Sequence, residues 1–382
     1  MTESENGEPA GEEPHILRTK HLHLPFNPPE PIMTKPISPA LAPAGSAPDP
    51  ARASTPRTTA AGPKMDGVSW AMLLTLSLLW GGSFFFTEVA LRDLPPFTLV
   101  LARVALASVI LWLVIAARRI ALPTSRPIWI SFMVMGLLNN LLPFSLIVWS
   151  QTYIASGLAA ILNATTPLFT LMIAHIATDN EKLSSRKVIG VVTGFIGVLI
   201  VTGIPAFDGL GQAKSIIGNE DLSLATIAPF AVLIAAISYG CAAIFGRRFK
   251  NTPPLVTAAG QTTASSLMLV PIVCLVDAPW TLPVPGLPTW LAVAGIASIS
   301  TALAYLLYFK LLGRAGASNL ALVTFLIPIS AILLGFCFLG EALGTNDIAG
   351  MLAIGLGLAI IDGRPLSWLR KTLLSPKSAT GA

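Results

Sequence analysis

Between Val68 and Asp362 the chain is a succession of ten apolar segments, at 68–90, 98–116, 128–149, 154–176, 187–203, 225–246, 255–276, 289–309, 318–338 and 346–362. This feature constrains the fold more than any other. A helix rises about 1.5 Å per residue, so roughly 20 residues cross the hydrocarbon of a bilayer. Only 11% of the 382 residues are charged, against about a quarter in an ordinary soluble domain. A water-soluble globule is excluded. The expected fold class is all-α integral membrane, with ten transmembrane helices.

The first 64 residues differ. They hold 13 of the 31 prolines and three of the four histidines (His15, His21 and His23). No apolar run there can build a core, so residues 1–64 read as a disordered cytoplasmic tail. The tail also lacks the apolar stretch and small-residue cleavage site of a secretory signal. Met65 opens MDGVSWAMLLTLSLLW, a more usual start for a membrane protein, so an alternative start codon is an open reading.

Charge sets the expected orientation. With the N-terminal tail in the cytoplasm, the inner connections, Arg364 and the C-terminal tail (365–382) carry fifteen Lys and Arg, among them Arg118, Arg119, Lys310 and Arg314. The outer ones carry Arg92 and Lys214. This asymmetry follows the positive-inside rule and puts both termini in the cytoplasm of an inner (plasma) membrane. Cys241, Cys274 and Cys337 all fall within apolar segments and read as small packing residues, with no disulfide implied.

The chain repeats itself. Glu181, Gly190 and Gly197 recur as Glu341, Gly350 and Gly357, each 160 residues later. Trp80-Gly81 recurs as Tyr239-Gly240, Pro95-Pro96 as Pro253-Pro254, and Pro167 as Pro328. Each copy holds five segments. Five is odd, so the second copy enters the membrane from the opposite side. The expectation is two inverted five-helix repeats, with a solute site near the midplane where they meet.

LLWGGSFFF at 78–86, PPFTLVLARVALAS at 95–108, NATTPLF at 163–169 and LIPISAILLGFCFLGEALGTNDIAG at 326–350 carry a family pattern. Over about residues 66–363 the chain resembles EamA-type members of the drug/metabolite transporter superfamily. The resemblance implies one repeat at 65–204 and another at 222–364. It also implies an inner-membrane permease or exporter, often for amino acids or other small metabolites.

Polar residues inside the apolar segments are the candidate site. Asn139 and Asn140 lie at mid-depth in the third, and Ser300 and Thr301 are their equivalents in the eighth. Amides and hydroxyls facing lipid are costly, so they face protein or a water-filled path. They line that path or bond between helices. Arg103 is the one cation deep inside a segment, and such residues mark function by default. Glu88 is symmetric with it about the Pro95-Pro96 turn, which predicts an ion pair. That pair holds the hairpin, binds a charged group of the solute, or leaves Glu88 to carry a coupling proton. Gln261 stands where Arg103 has its equivalent. Trp80, Phe84, Tyr239 and Tyr305 read as cavity walls or as packing, and Asn163, four residues before Pro167, as a cavity candidate at a helix break that lines the site or at a gentle kink.

His175 reads as an interfacial histidine, and Glu181 and Glu341 as turn-holding residues. Gly190-x-x-x-Gly194 suits either close packing of the fifth segment or a homodimer contact. No catalytic constellation, nucleotide-binding loop, cofactor motif or metal cluster is legible, and no nucleic-acid partner is expected. A secondary transporter of a small polar solute is therefore expected, with a non-transporting receptor or an intramembrane enzyme as alternatives.

Overall fold

The computed structural model describes residues 65–177, 183–202 and 220–363. The predicted tails, Glu181 and Lys214 lie outside them. The described residues are helical, with no strand among them. In chain order they form α1 (Gly67–Ala90), α2 (Pro96–Ala117), α3 (Arg126–Ser150), α4 (Ser156–Ala177), α5 (Ser185–Thr202), α6 (Glu220–Phe245), α7 (Pro254–Val276), α8 (Leu287–Ala315), α9 (Val323–Leu339) and α10 (Thr345–Asp362). Among the described residues eight helices are long and apolar enough to cross a membrane, and α9 is a shorter apolar helix. The eighth segment runs further than its apolar stretch, so Lys310 and Arg314 fall in its last turns.

Local chemistry explains the helix ends. Asp66 caps α1 by accepting from the Ser69 N–H at 2.9 Å. Prolines open α2 and α7 at the first helical position, where the missing N–H costs nothing. Three other starts are capped from a distance. Asp277 accepts from Thr98 N and Oγ1 at the start of α2 (2.6 and 2.8 Å). Asp93 accepts from Gly286 N and Thr289 Oγ1 at the start of α8 (2.9 and 2.6 Å). Glu341 accepts from Ser156 N, Ser156 Oγ and Gly157 N at the start of α4. Glu341 thus holds the entry of a distant helix as well as following its own.

The helices pack at glycines. α5 lies along α10. A Cβ on Gly190 would meet the Gly357 carbonyl at 2.6 Å, and one on Gly197 the Gly350 carbonyl at 2.8 Å. Backbones this close leave no room for a side chain. Gly194 faces Leu168 of α4, so the Gly190-x-x-x-Gly194 pattern is used within the chain. Gly81 seats α1 against Ser330 and Ala331 of α9, and Gly240 seats α6 against Phe169 and Thr170 of α4. Large apolar side chains such as Leu113 (65% exposed) and Leu352 (66%) cover the outside, as a lipid-facing surface requires. Cys274 and Cys337 are also exposed there, which corrects their reading as packing residues: both lie on outward faces of apolar helices.

Two helices carry a wide turn at matching places. α3 has a π-helical turn at Leu137–Leu141 and α8 one at Ser298–Leu303, 161 residues apart at their starts. Such turns free carbonyls and often mark functional sites. The freed carbonyls find hydroxyls here. Ser238 Oγ donates to Leu138 O at 2.7 Å, Thr301 Oγ1 to Ile296 O at 2.8 Å and Ser265 Oγ to Gly136 O at 3.1 Å.

Proline acts differently in the two halves. Pro167 follows an interruption of α4 at Ala164–Thr165, where the hydroxyls of Thr165 and Thr166 bond back to Leu162 O and Asn163 O. Pro328 sits inside the Val323–Leu334 stretch of α9 without ending it.

Candidate functional site

A polar cluster fills the space between α2, α3, α7 and α8. Arg103 of α2 is 8% exposed. Its Nε donates to Thr301 Oγ1 at 3.1 Å, and its guanidinium carbon lies 3.7 Å from the centroid of the Phe144 ring. Stacking on an aromatic face suits a planar, weakly hydrated cation. Tyr239 and Tyr305 lie within electrostatic reach. No carboxylate pairs with Arg103 among the described residues.

The two asparagines divide their work. Asn139 Nδ2 donates to Gln261 Oε1 at 3.1 Å and to Tyr305 Oη at 3.4 Å. Asn140 is fully buried and donates to Ser265 Oγ at 3.1 Å, while its Oδ1 accepts from Tyr305 Oη at 3.4 Å. Gln261 Nε2 donates to the same Tyr305 oxygen at 3.3 Å. Tyr305 is thus the hub that joins α3, α7 and α8.

Some polar atoms are sealed without a partner, namely Ser145 Oγ, Gln151 Oε1, Asn163 Oδ1 and Ser300 Oγ. The terminal nitrogens of Arg103 are not in that sealed set, yet they bond to no described residue. Arg103 as a whole is nonetheless buried. A cation held by its inner edge, with its outer edge unbonded, is arranged to meet an anionic group.

The structure therefore brings together Arg103, Asn139, Asn140, Gln261, Thr301 and Tyr305, with Ser300 beside Thr301 on the same turn. It separates the others. Trp80 packs its ring on Tyr308 at 5.6 Å, Phe84 is buried in the core around α1, α4 and α9, and Asn163 sits in the interruption of α4. Tyr239 packs between two core clusters but stays within electrostatic reach of Arg103, so it borders the polar cluster.

The expected ion pair between Glu88 and Arg103 does not form. α1 packs against α8 and α9, whereas α2 packs against α7 and α8. The helices of this hairpin diverge, so symmetry about the Pro95-Pro96 turn does not bring the two side chains together. Glu88 instead accepts from Gln151 Nε2 at 3.4 Å, and the same amide donates to the Phe84 carbonyl at 3.0 Å.

Sequence reasoning missed Ser265, Gln151 and the ring of Phe144. Ser265 lies one turn after Gln261, a spacing that signals a shared face. Gln151 is a lone amide closing an apolar segment. Nothing in the sequence distinguishes Phe144 from its apolar neighbours.

Known proteins give this geometry a family. The model of the EamA-like transporter family matches the chain twice, at residues 67–203 and 226–362. Transporter YoaV of Bacillus subtilis is 26% identical over 291 residues, 75% of this chain and 94% of that protein. Inner membrane transporter YedA of Escherichia coli is 24% identical over 304 residues, covering 77% and 92%. Protein PecM of Dickeya dadantii is 26% identical over 296 residues, again 77% and 92%. One crystal structure superposes with a TM-score of 0.53 at 18% identity, over 81% of this chain and 99% of its own, a likeness of fold. With both halves matched by one family model, this membrane protein belongs to the EamA-like transporter family.

Proposed function

We propose that this chain is a secondary active transporter that exports a small anionic or zwitterionic metabolite, such as an amino acid, by alternating access. The observation that carries the reading is the Arg103 guanidinium, buried, held by Thr301 and Phe144, and without a carboxylate partner among the described residues. A carboxylate of the solute supplies the missing charge. Asn139, Gln261 and Tyr305 offer amides and a hydroxyl beside it. Glu88, separate from Arg103, is the acid available to carry a coupling proton.

The architecture in this reading is ten membrane helices in two inverted repeats, in the inner membrane with both termini cytoplasmic. Reciprocal contacts support it. Gly190 meets Gly357 and Gly197 meets Gly350, and each member of one pair is the repeat equivalent of a member of the other. The α1–α9 contact at Gly81 has its counterpart in the α6–α4 contact at Gly240. Exchange between such related halves is the physical basis of alternating access.

The test is flux from proteoliposomes loaded with a pool of amino acids and small organic acids, followed by mass spectrometry. The expected result is selective, saturable loss of one carboxylate-bearing solute by the native chain and none by Arg103→Ala that is still folded. Solute binding without flux would point to a receptor, and preference for a cationic solute would overturn the substrate class.

A further inference from the structure

A second site lies away from the polar cluster, at the end of the bundle where α1 begins. Arg118 closes α2, Pro254 opens α7, and Lys310 lies near the end of α8. These residues line one groove of about 530 Å³. Its walls are otherwise apolar and include Leu303, Leu306, Leu307 and Phe309. Leu303 is 48% exposed, so the groove is continuous with the apolar outer surface of α8.

The charges here are unspent. Arg314, one turn beyond Lys310, is paired with Asp66. Arg118 and Lys310 have no hydrogen-bond or carboxylate partner among the described residues. The start of α7 has no acidic residue in its first turn and no side-chain cap, so its positive end adds to the same field. The starts of α2, α4 and α8 are each occupied by a carboxylate.

We propose that this groove binds an anionic phospholipid, its phosphate between Arg118 and Lys310 and an acyl chain along Leu303, Leu306 and Leu307. Charge complementarity selects the headgroup. A soluble anion would meet the two cations but gain nothing from the apolar walls, whereas a lipid uses both. Basic residues at the membrane surface beside a gap between helices suit this ligand.

Native mass spectrometry of the full chain tests it, with phosphatidylglycerol and phosphatidylcholine each added at matched concentration in mild detergent. Lipid retention is read without a transport assay, so its outcome is separate from the flux test above. The expected result is retention of phosphatidylglycerol over phosphatidylcholine. Arg118→Gln with Lys310→Gln is expected to weaken that retention at least tenfold, and Arg118→Lys to keep most of it. Both altered side chains are exposed, so the core is untouched. If the double variant does not elute as a single species, Lys310→Gln alone is measured, with a severalfold loss expected. Equal retention of both lipids, or unchanged retention in the variants, overturns the proposal. So does displacement of the lipid by millimolar inorganic phosphate, which would make the groove a soluble-anion site.

Discussion

Arg103 and Thr301 are joined by a 3.1 Å hydrogen bond that links α2 to the π-helical turn of α8. The bond uses the inner edge of the guanidinium and leaves the outer edge unbonded. Charge and shape contribute separately here, and substitution can part them. Arg103→Lys keeps the charge but loses the fork and the stacking on Phe144. It is expected to raise the KM for a carboxylate solute by about ten- to a hundredfold, the range for losing a hydrogen bond to a charged group. Phe144→Leu removes only the ring and is expected to cost less, about 0.5–2 kcal/mol in binding. Initial-rate transport against solute concentration checks both.

Asn139 and Asn140 are expected to separate in their effects. Asn140 is sealed and tied to Ser265. Asn140→Leu should lower thermal stability in detergent by about 1 kcal/mol, the usual scale for such bonds in membranes. The loss is modest because Ser265 Oγ keeps its bonds to Gly136 O and Gln261 O. Asn139 is only partly buried and shares Tyr305 with Gln261. Asn139→Leu should leave the melting temperature nearly unchanged while reducing flux.

The α5–α10 contact gives a purely structural prediction. A Cβ on Gly357 would lie 2.6 Å from the Gly194 nitrogen, a backbone atom that cannot step aside. Gly357→Ala is expected to destabilise by about 1–3 kcal/mol. On the same helix, a Cβ added to Gly355, two residues away, would meet nothing within 4 Å. Gly355→Ala is expected to be neutral or stabilising by about 0.5–1 kcal/mol, because alanine favours a helix. Thermal melts of the two variants should move apart, and equal shifts would show that helix propensity alone governs this helix.

Much of this was legible from residue type and spacing. The long apolar helices were readable, and the two polar pairs stood out within them, because a bilayer imposes a simple rule on every side chain within it. The partners of the polar residues were not. Depth follows from counting residues, but the direction a side chain faces depends on which helices touch. The Pro95-Pro96 turn suggested that Glu88 and Arg103 would meet, and the divergence of α1 and α2 kept them apart. The π-helical turns were also invisible, since nothing in LLNNL or SISTAL separates them from ordinary helix. They change the facing of the residues that matter: Asn140 turns toward Ser265 and Thr301 toward Arg103.

Two carboxylates outside the spans give a pH dependence. Asp66 is held well below the usual carboxylate range by Arg314 and then by Ser69. Asp93 is held below it by the Thr289 hydroxyl and the Gly286 N–H. In both, folding favours the ionised form. Their contribution to stability is therefore fully present above the unfolded pKa of about 4 and is lost as pH falls through the lower folded values. Asp93→Asn should lower the melting temperature by a constant amount between about pH 5 and 8, where the native carboxylate stays charged in both states. Below about pH 4 the gap between variant and native chain should close, as protonation makes the native Asp93 resemble the amide. Melting curves of both proteins across this range decide it. A gap that widens toward acid would mean that Asp93 is stabilised as the neutral acid, opposite to what its hydrogen bonds to Gly286 and Thr289 require.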